Sequence, residues 1–418
     1  MKITQIIARE IYDSRGLPTV QCEVVLENTV RIVAAAPSGL SRSKYEAHEL
    51  RDGGKRLWGL GVLKAVENIE SMIAPALIGQ EPNGLEMDLK LLEIDGTSDK
   101  SHLGSNATLA TSMAIYKAQA YVEQIEPYEL IAYISGADSV TVPFPLINVL
   151  NGGLHANNNM HIQEFMIVPL GAANFRSSFE LSVAIFHELK NVLQKNGKSV
   201  AVGDEGGYAP MCVDDEEALI LLCEALARVE QIHESRCVIA LDVAASRLYD
   251  PLTKTYLWNN ERIVAEQLVE IYSNLIDSYP IYSIEDGLSE EDWDGWKYMT
   301  HVMENKIQLV GDDIFATHPE RILEGVRQGI AQAVVIKPNQ IGTITETLHA
   351  IRLCKLHNLN VIVSHRSGET EDTFIADLAV GASAGQIKAG GCSRTDRIAK
   401  YNRLLMIEDQ LMLSLITA

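Results

Sequence analysis

Residues 281–313 read IYSIEDGLSEEDWDGWKYMTHVMENKIQLVGDD. A short apolar run of strand length ends at Glu285, a helical stretch follows, and a second apolar run ends at Asp312. The same unit recurs on both sides. Upstream, VIALDVAAS ends its run at Asp242; downstream, AVVIKP ends at Lys337, VIVSHRS at His365, and GQIKAGG carries Lys388. These positions stand 43, 27, 25, 28 and 23 residues apart, about one strand plus one helix each time. The cadence predicts a parallel (β/α) barrel, in which all strands open their carboxyl ends on one face and gather the catalytic groups there. An open doubly wound sheet shares the alternation, but no GxGxxG opens any helix, and the charged groups come from too many strands for one crevice. The expected fold class is α/β, a (β/α)8-type barrel over residues 136–418 beside a smaller N-terminal α+β domain over residues 1–135.

That first domain is expected to begin with strands ITQIIAREIY (3–12) and TVQCEVVLE (19–27) around the turn-rich DSRGLP. Helices are expected over LKAVENIESMIAPAL (63–77), ended or bent by Pro75, and from about Asn106 to Gln124. The stretch 126–145 reads as a connection to the second region. The chain has 418 residues, 47% hydrophobic and 22% charged, which supplies a core and excludes global disorder. Thirty-five Lys and Arg against 56 Asp and Glu leave a net charge of −21, which repels a phosphodiester backbone or an anionic membrane. Sequence-independent nucleic-acid binding is therefore excluded, and an anionic ligand would need positive charge concentrated at one place. Cys22, Cys212, Cys223, Cys237, Cys354 and Cys392 are scattered without CxxC or zinc-like spacing, and are expected to be reduced, buried thiols. No long apolar stretch follows Lys2, and no window approaches the roughly 18 apolar residues of a membrane span. No membrane span and a cytoplasmic location are the expectation.

Asp242, Glu285 and Asp312 at successive strand ends would repel one another unless a cation sat between them, and hard oxygen ligands without Cys or His suit magnesium. Capping of the following helices would explain one such acid and not all three. Lys337 and Lys388 would also repel each other, and with a cation nearby their proton affinity is expected to fall, making either a candidate general base or a carboxylate clamp. Taken singly, each would be an ordinary salt-bridge partner. His365, Arg366 and Ser367 offer a planar fork and a hydroxyl fit for phosphate. Glu164 in HIQEFMIVP and Glu205 in VGDEGGYAP are acids near polar, glycine-containing loops; if desolvated, one of them keeps a proton and donates it to a leaving group. Together these groups describe proton abstraction beside a carboxylate followed by loss of water.

The chain resembles the enolase family over nearly its whole length. The resemblance is carried by DSRGLPTV, the PSG turn, NGGLHANNN with IQEFMIVP, VGDEGGYAP, SIEDGL with EEDWDGW, VGDDIFAT, IKPNQIGTITET, SHRSGETEDTFIADLAV and QIKAGGCSRTDRIAKYN. It implies that Asp242, Glu285 and Asp312 ligate a first magnesium and that Ser38 helps to bind a second one with the substrate phosphate. Lys337 is implied as the base, Glu205 as the group assisting the leaving hydroxyl, and Glu164 as its hydrogen-bonded neighbour. His365 and His155 would position substrate and acid, Arg366 and Ser367 would hold phosphate, and Lys388 would hold the carboxylate. The resemblance further implies a barrel whose first strands depart from strict alternation, a small anionic phosphorylated carboxylate as substrate, and a homodimer or a higher oligomer of dimers.

Two loops depart from the family pattern. PSGLSRS stands where PSGASTG is usual, bringing in Leu40 and Arg42 and losing a glycine at Ser43; Asn157 and His161 replace two aspartates of HADNNVDIQEF. The lost glycine is expected to slow closure of the first loop. The activity implied is reversible dehydration of 2-phosphoglycerate to phosphoenolpyruvate. Alternatives are a paralogue acting on a phosphonate or substituted phosphoglycerate, and a catalytically silent binding protein.

Overall fold

A computed structural model describes residues 1–418 other than Ser41, Arg42, Asp138, Glu234 and Ala418. The expected N-terminal strands form an antiparallel meander of β1 (Ile3–Tyr12), β2 (Pro18–Leu26) and β3 (Arg31–Ala35). The β1–β2 turn is made by Asp13, whose Oδ1 accepts the N–H groups of Arg15 at 2.8 Å and Leu17 at 2.9 Å, with Gly16 at φ 72°. Helix Ser105–Glu123 lies on β2 and β3 and is buried continuously from Ser105 through Tyr116. Its Ala, Ser and Thr residues permit that close approach. Pro75 acts as expected: the preceding turn widens into a π-turn over Ile69–Ile73, easing the clash of the ring with the earlier carbonyl, and the helix stops at Leu77.

The stretch expected to be a connection contains a helix, Pro127–Ser135. Glu126 and Glu129 form a capping box at its start and Pro127 stands in the first turn, so the chain nucleates helix where a linker was anticipated. It packs mainly on helix Phe374–Gly381.

The barrel closes with eight strands: β4 (Phe144–Asn151), β5 (Glu164–Val168) and β6 (Val238–Asp242), then, after a small antiparallel sheet of β7 (Tyr249–Asp250), β8 (Thr255–Trp258) and β9 (Glu261–Ile263), the strands β10 (Ile281–Glu285), β11 (Gln308–Gly311), β12 (Ala333–Ile336), β13 (Asn360–Ser364) and β14 (Gly385–Lys388). Around the ring the order is β10-β11-β12-β13-β14-β4-β5-β6. The β7–β9 sheet accounts for the 43-residue interval between Asp242 and Glu285. The first strands depart from alternation: β5 follows β4 without an intervening α-helix and runs antiparallel to both neighbours, after which helices Phe175–Lys195 and Asp215–His233 come in succession.

Inside the barrel Leu146, Met166, Val168, Val238, Ala240, Val310, Ala333, Val335 and Ile362 form an apolar plug. Below it, at the amino ends of the parallel strands, Gln308 and Gln386 exchange side-chain hydrogen bonds of 3.1 and 2.9 Å, and Asn360 Nδ2 donates to Gln308 Oε1 at 2.8 Å. Among the described residues, no helix is long and apolar enough to cross a membrane.

Candidate active site

The strand ends meet at one mouth. Because β5 runs backwards, its first residue, Glu164, stands in register with Asp242 at the end of β6, which is itself in register with Glu285 on β10. Glu164 is thus a strand residue rather than the loop acid expected. Read around the ring, Glu164, Asp242, Glu285 and Asp312 occupy one arc from β5 to β11. Lys337 follows β12, His365 to Ser367 follow β13, and Lys388 ends β14. Acids therefore hold one side of the mouth and cationic groups most of the other, around one narrow polar cleft.

Lys388 joins the two sides. Its Nζ lies 2.8 Å from Asp242 Oδ2, 2.8 Å from Glu285 Oε1 and 3.1 Å from Glu164 Oε1. Lys337 Nζ pairs with Asp312 Oδ2. Burial lowers both proton affinities, but the facing carboxylates outweigh it, and both lysines are raised above the ordinary value; the expected depression belongs to a site that holds a cation.

Burial also sorts the acids. It raises Glu164 to about 8, reinforced by the charge of Glu205, so Glu164 holds a proton at neutral pH. Glu285 is pushed well up by burial and by Asp242, whereas burial of Asp242 is outweighed by Lys388 and its carboxyl is lowered. Asn148 Nδ2 bridges Glu164 Oε2 at 3.1 Å and Glu205 Oε2 at 3.4 Å. Glu205 faces two imidazoles, His155 Nε2 and His365 Nε2, each 3.6 Å from one of its oxygens. Burial lowers both histidines, which are neutral.

Among the described residues, His155, Glu164 and Glu205 bring ligand atoms within 4.8 Å of one another. Asp242 and Glu285 instead converge, with Glu164, on the Lys388 ammonium, so Asp312 of the expected set stands in a different grouping from the other two; Glu285 Oε2 is buried without a hydrogen-bond partner among the described residues. Asp286, Asp312 and Asp313 bring carboxylate atoms within 4.8 Å of one another. An all-oxygen, multiply charged set of this kind fits magnesium.

Residues 139–416 match the family model described as Enolase, C-terminal TIM barrel domain, and residues 3–131 match Enolase, N-terminal domain. The chain belongs to the enolase family. That makes it an enolase-superfamily lyase by kinship, in a family that binds phosphorylated carboxylates and typically uses magnesium.

Of the residues that the enolase resemblance singled out, Asp242, Asp312, Glu164, Glu205, His155, Lys337, His365, Arg366, Ser367 and Lys388 line the one cleft, and Glu285 lies directly behind it on Lys388. Ser38 does not line it. Its hydroxyl donates to Glu49 Oε1 at 3.0 Å and accepts from Arg51 at 2.8 Å, while its backbone exchanges two 2.8 Å hydrogen bonds with Gly368. Ser38 therefore braces the loop carrying Arg366 and Ser367 from behind. Arg366 is engaged by Glu46, whose oxygens lie 2.9 and 3.1 Å from its fork, and by Asn339 Oδ1 at 2.9 Å.

Among the departures from the enolase pattern, Arg42 lies outside the described residues. Ser43 Oγ bonds Glu290 and the Asp313 carbonyl, tethering the first loop to the barrel. Asn157 is exposed. His161 is not in the cleft: its ring stacks on Trp258 at 4.6 Å, and its Nδ1 lies 3.1 Å from Asp215 Oδ2. Sequence reasoning missed Asn148, Glu46, Asp286, Asp313 and Arg397. The adjacent acids in IEDG and VGDD were visible signals for Asp286 and Asp313; the others stand in stretches whose burial no pattern announces.

Proposed function

We propose that this protein catalyses the reversible dehydration of 2-phosphoglycerate to phosphoenolpyruvate. The observation that carries the reading is opposition: β12 and β5 stand four places apart in the ring of eight, so Lys337 and the Glu164–Glu205 pair face each other across the mouth. A base on one side takes the C2 proton onto Nζ, and an acid on the other protonates the C3 hydroxyl, which leaves as water while the C2–C3 double bond forms. Glu205 assists the departure, with Glu164 as a proton-holding neighbour joined to it through Asn148. His155 and His365 flank the acid, Arg366 and Ser367 take the phosphate once Arg366 exchanges Glu46 for it, and Lys388 holds the carboxylate. Asp242, Glu285 and Asp312 would hold magnesium, two ions in all being the expectation; when bound, these ions supply positive charge against the negative charge that builds on the substrate carboxylate. A homodimer and a cytoplasmic location belong to the same reading.

The test is ultraviolet absorbance of the protein with 2-phosphoglycerate and magnesium, since the conjugated product absorbs where the substrate does not. A rise in the parent, cut by at least about 10²-fold in Lys337→Ala, is expected. No rise, with magnesium still raising the thermal midpoint, would transfer the reading to a phosphonate or a substituted phosphoglycerate. No rise and no magnesium effect would point to a silent binding protein.

A further inference from the structure

Arg397, in the first turn of helix Thr395–Thr417, is fully buried. Its guanidinium reaches two loops at once. Nη2 donates to the carbonyls of Ser367 at 2.6 Å and Asp204 at 3.2 Å; Nη1 donates to the carbonyl of Arg366 at 2.6 Å and to Nδ1 of His365. Asp396 Oδ2 lies 2.8 Å from Nε and balances the charge. Gly390 makes room for the stem, because a Cβ there would sit 2.6 Å from Arg397 Cδ.

A guanidinium has donors only, so the contact with Nδ1 makes that ring nitrogen the acceptor. Burial, with the Arg397 charge next in weight, keeps the imidazole neutral, so it carries a single proton. That proton is left to Nε2, the atom 3.6 Å from Glu205 Oε2. We propose that Arg397 is a positioning residue that fixes His365 as its Nε2–H tautomer and aims that N–H at Glu205, while holding the Asp204–Glu205 loop against the His365–Ser367 loop. The catalytic part of the proposal rests on the reading of Glu205 given above. Without Arg397 the imidazole is free to place its proton on Nδ1 and present to Glu205 Oε2 a lone pair in place of a donor.

The experiment is nitrogen-15 NMR of the full-length, histidine-labelled protein without substrate, with the His365 signal identified by its loss in His365→Gln. The expected wild-type spectrum shows a pyridine-type Nδ1 and a pyrrole-type Nε2. A pyrrole-type Nδ1 overturns the proposal without any variant, so it stays falsifiable even if substitutions at position 397 prevent folding. Arg397→Lys keeps the charge but cannot span the ring and three carbonyls together. It is expected to shift His365 towards the Nδ1–H form and to lower kcat by about 10²-fold with little change in KM. An unchanged tautomer and kcat in that variant would also overturn it. If the wild-type protein leaves 2-phosphoglycerate untouched while the tautomer behaves as expected, the functional reading fails and the positioning of His365 stands.

Discussion

The barrel has two ends built by the same strands and governed by opposite rules. At the floor, Gln308, Gln386 and Asn360 are neutral amides that satisfy one another. At the mouth, Lys388 is shared by three buried carboxyl groups, one of which, Glu164, is held protonated, and Glu285 keeps one oxygen without a partner among the described residues. The floor is arranged so that no group asks for anything further. The mouth is arranged so that several groups are content only with a ligand or an ion, which is the condition of a site prepared for charge that arrives later.

The comparison can be broken most forcefully at Lys388. Lys388→Met leaves the Asp242 carboxylate buried beside Glu285 and Glu164 without its cation, and a loss of about 3–5 kcal/mol in chemical denaturation is expected, partly recovered by magnesium. A loss below about 1 kcal/mol would mean that the acids are far better solvated than their burial indicates. At the floor, Gln386→Leu strips Gln308 of its reciprocal partner and should cost about 1–3 kcal/mol while leaving turnover unchanged. A matching fall in kcat would show that the two ends are mechanically coupled.

The finest distinction is in pH. Because Glu164 in the folded protein holds its proton up to about 8, whereas a free glutamic acid releases it near 4.5, the native state binds more protons than the unfolded one between those values. Stability contributed by this group is therefore lost as pH rises through that window, by up to about 1.4 kcal/mol per pH unit for one proton. Glu164→Gln should flatten that slope, and Gln386→Leu should leave it intact. A parallel decline in the Glu164→Gln protein would assign the slope to other groups.

Much of this was legible in the sequence because a parallel barrel strand announces itself twice, by a short apolar run and by the polar residue that ends it. Asp242, Glu285, Asp312, Lys337 and Lys388 were all found that way. The reversal of β5 was not legible: a buried five-residue strand has the same apolar pattern in either direction, so Glu164 passed for a loop residue. That Lys388 would be shared by Asp242, Glu285 and Glu164 was not legible either, because which acid meets which lysine is a property of closure rather than of spacing. Nothing in RTDRIAKYN marks Arg397, and only the folded helix shows it sealed under two loops.

Ser38 and Gly368 pair backbone to backbone although 330 residues separate them, and Ser14 N–H donates to the Glu369 carbonyl beside them at 2.7 Å. On a ribosome adding about 5–20 residues per second, the first partner waits roughly 20–70 s for the second to be made. Throughout that interval the nascent N-terminal strands lack the loop that will brace them, so the Arg366–Ser367 side of the cleft is among the last parts of the molecule to be completed.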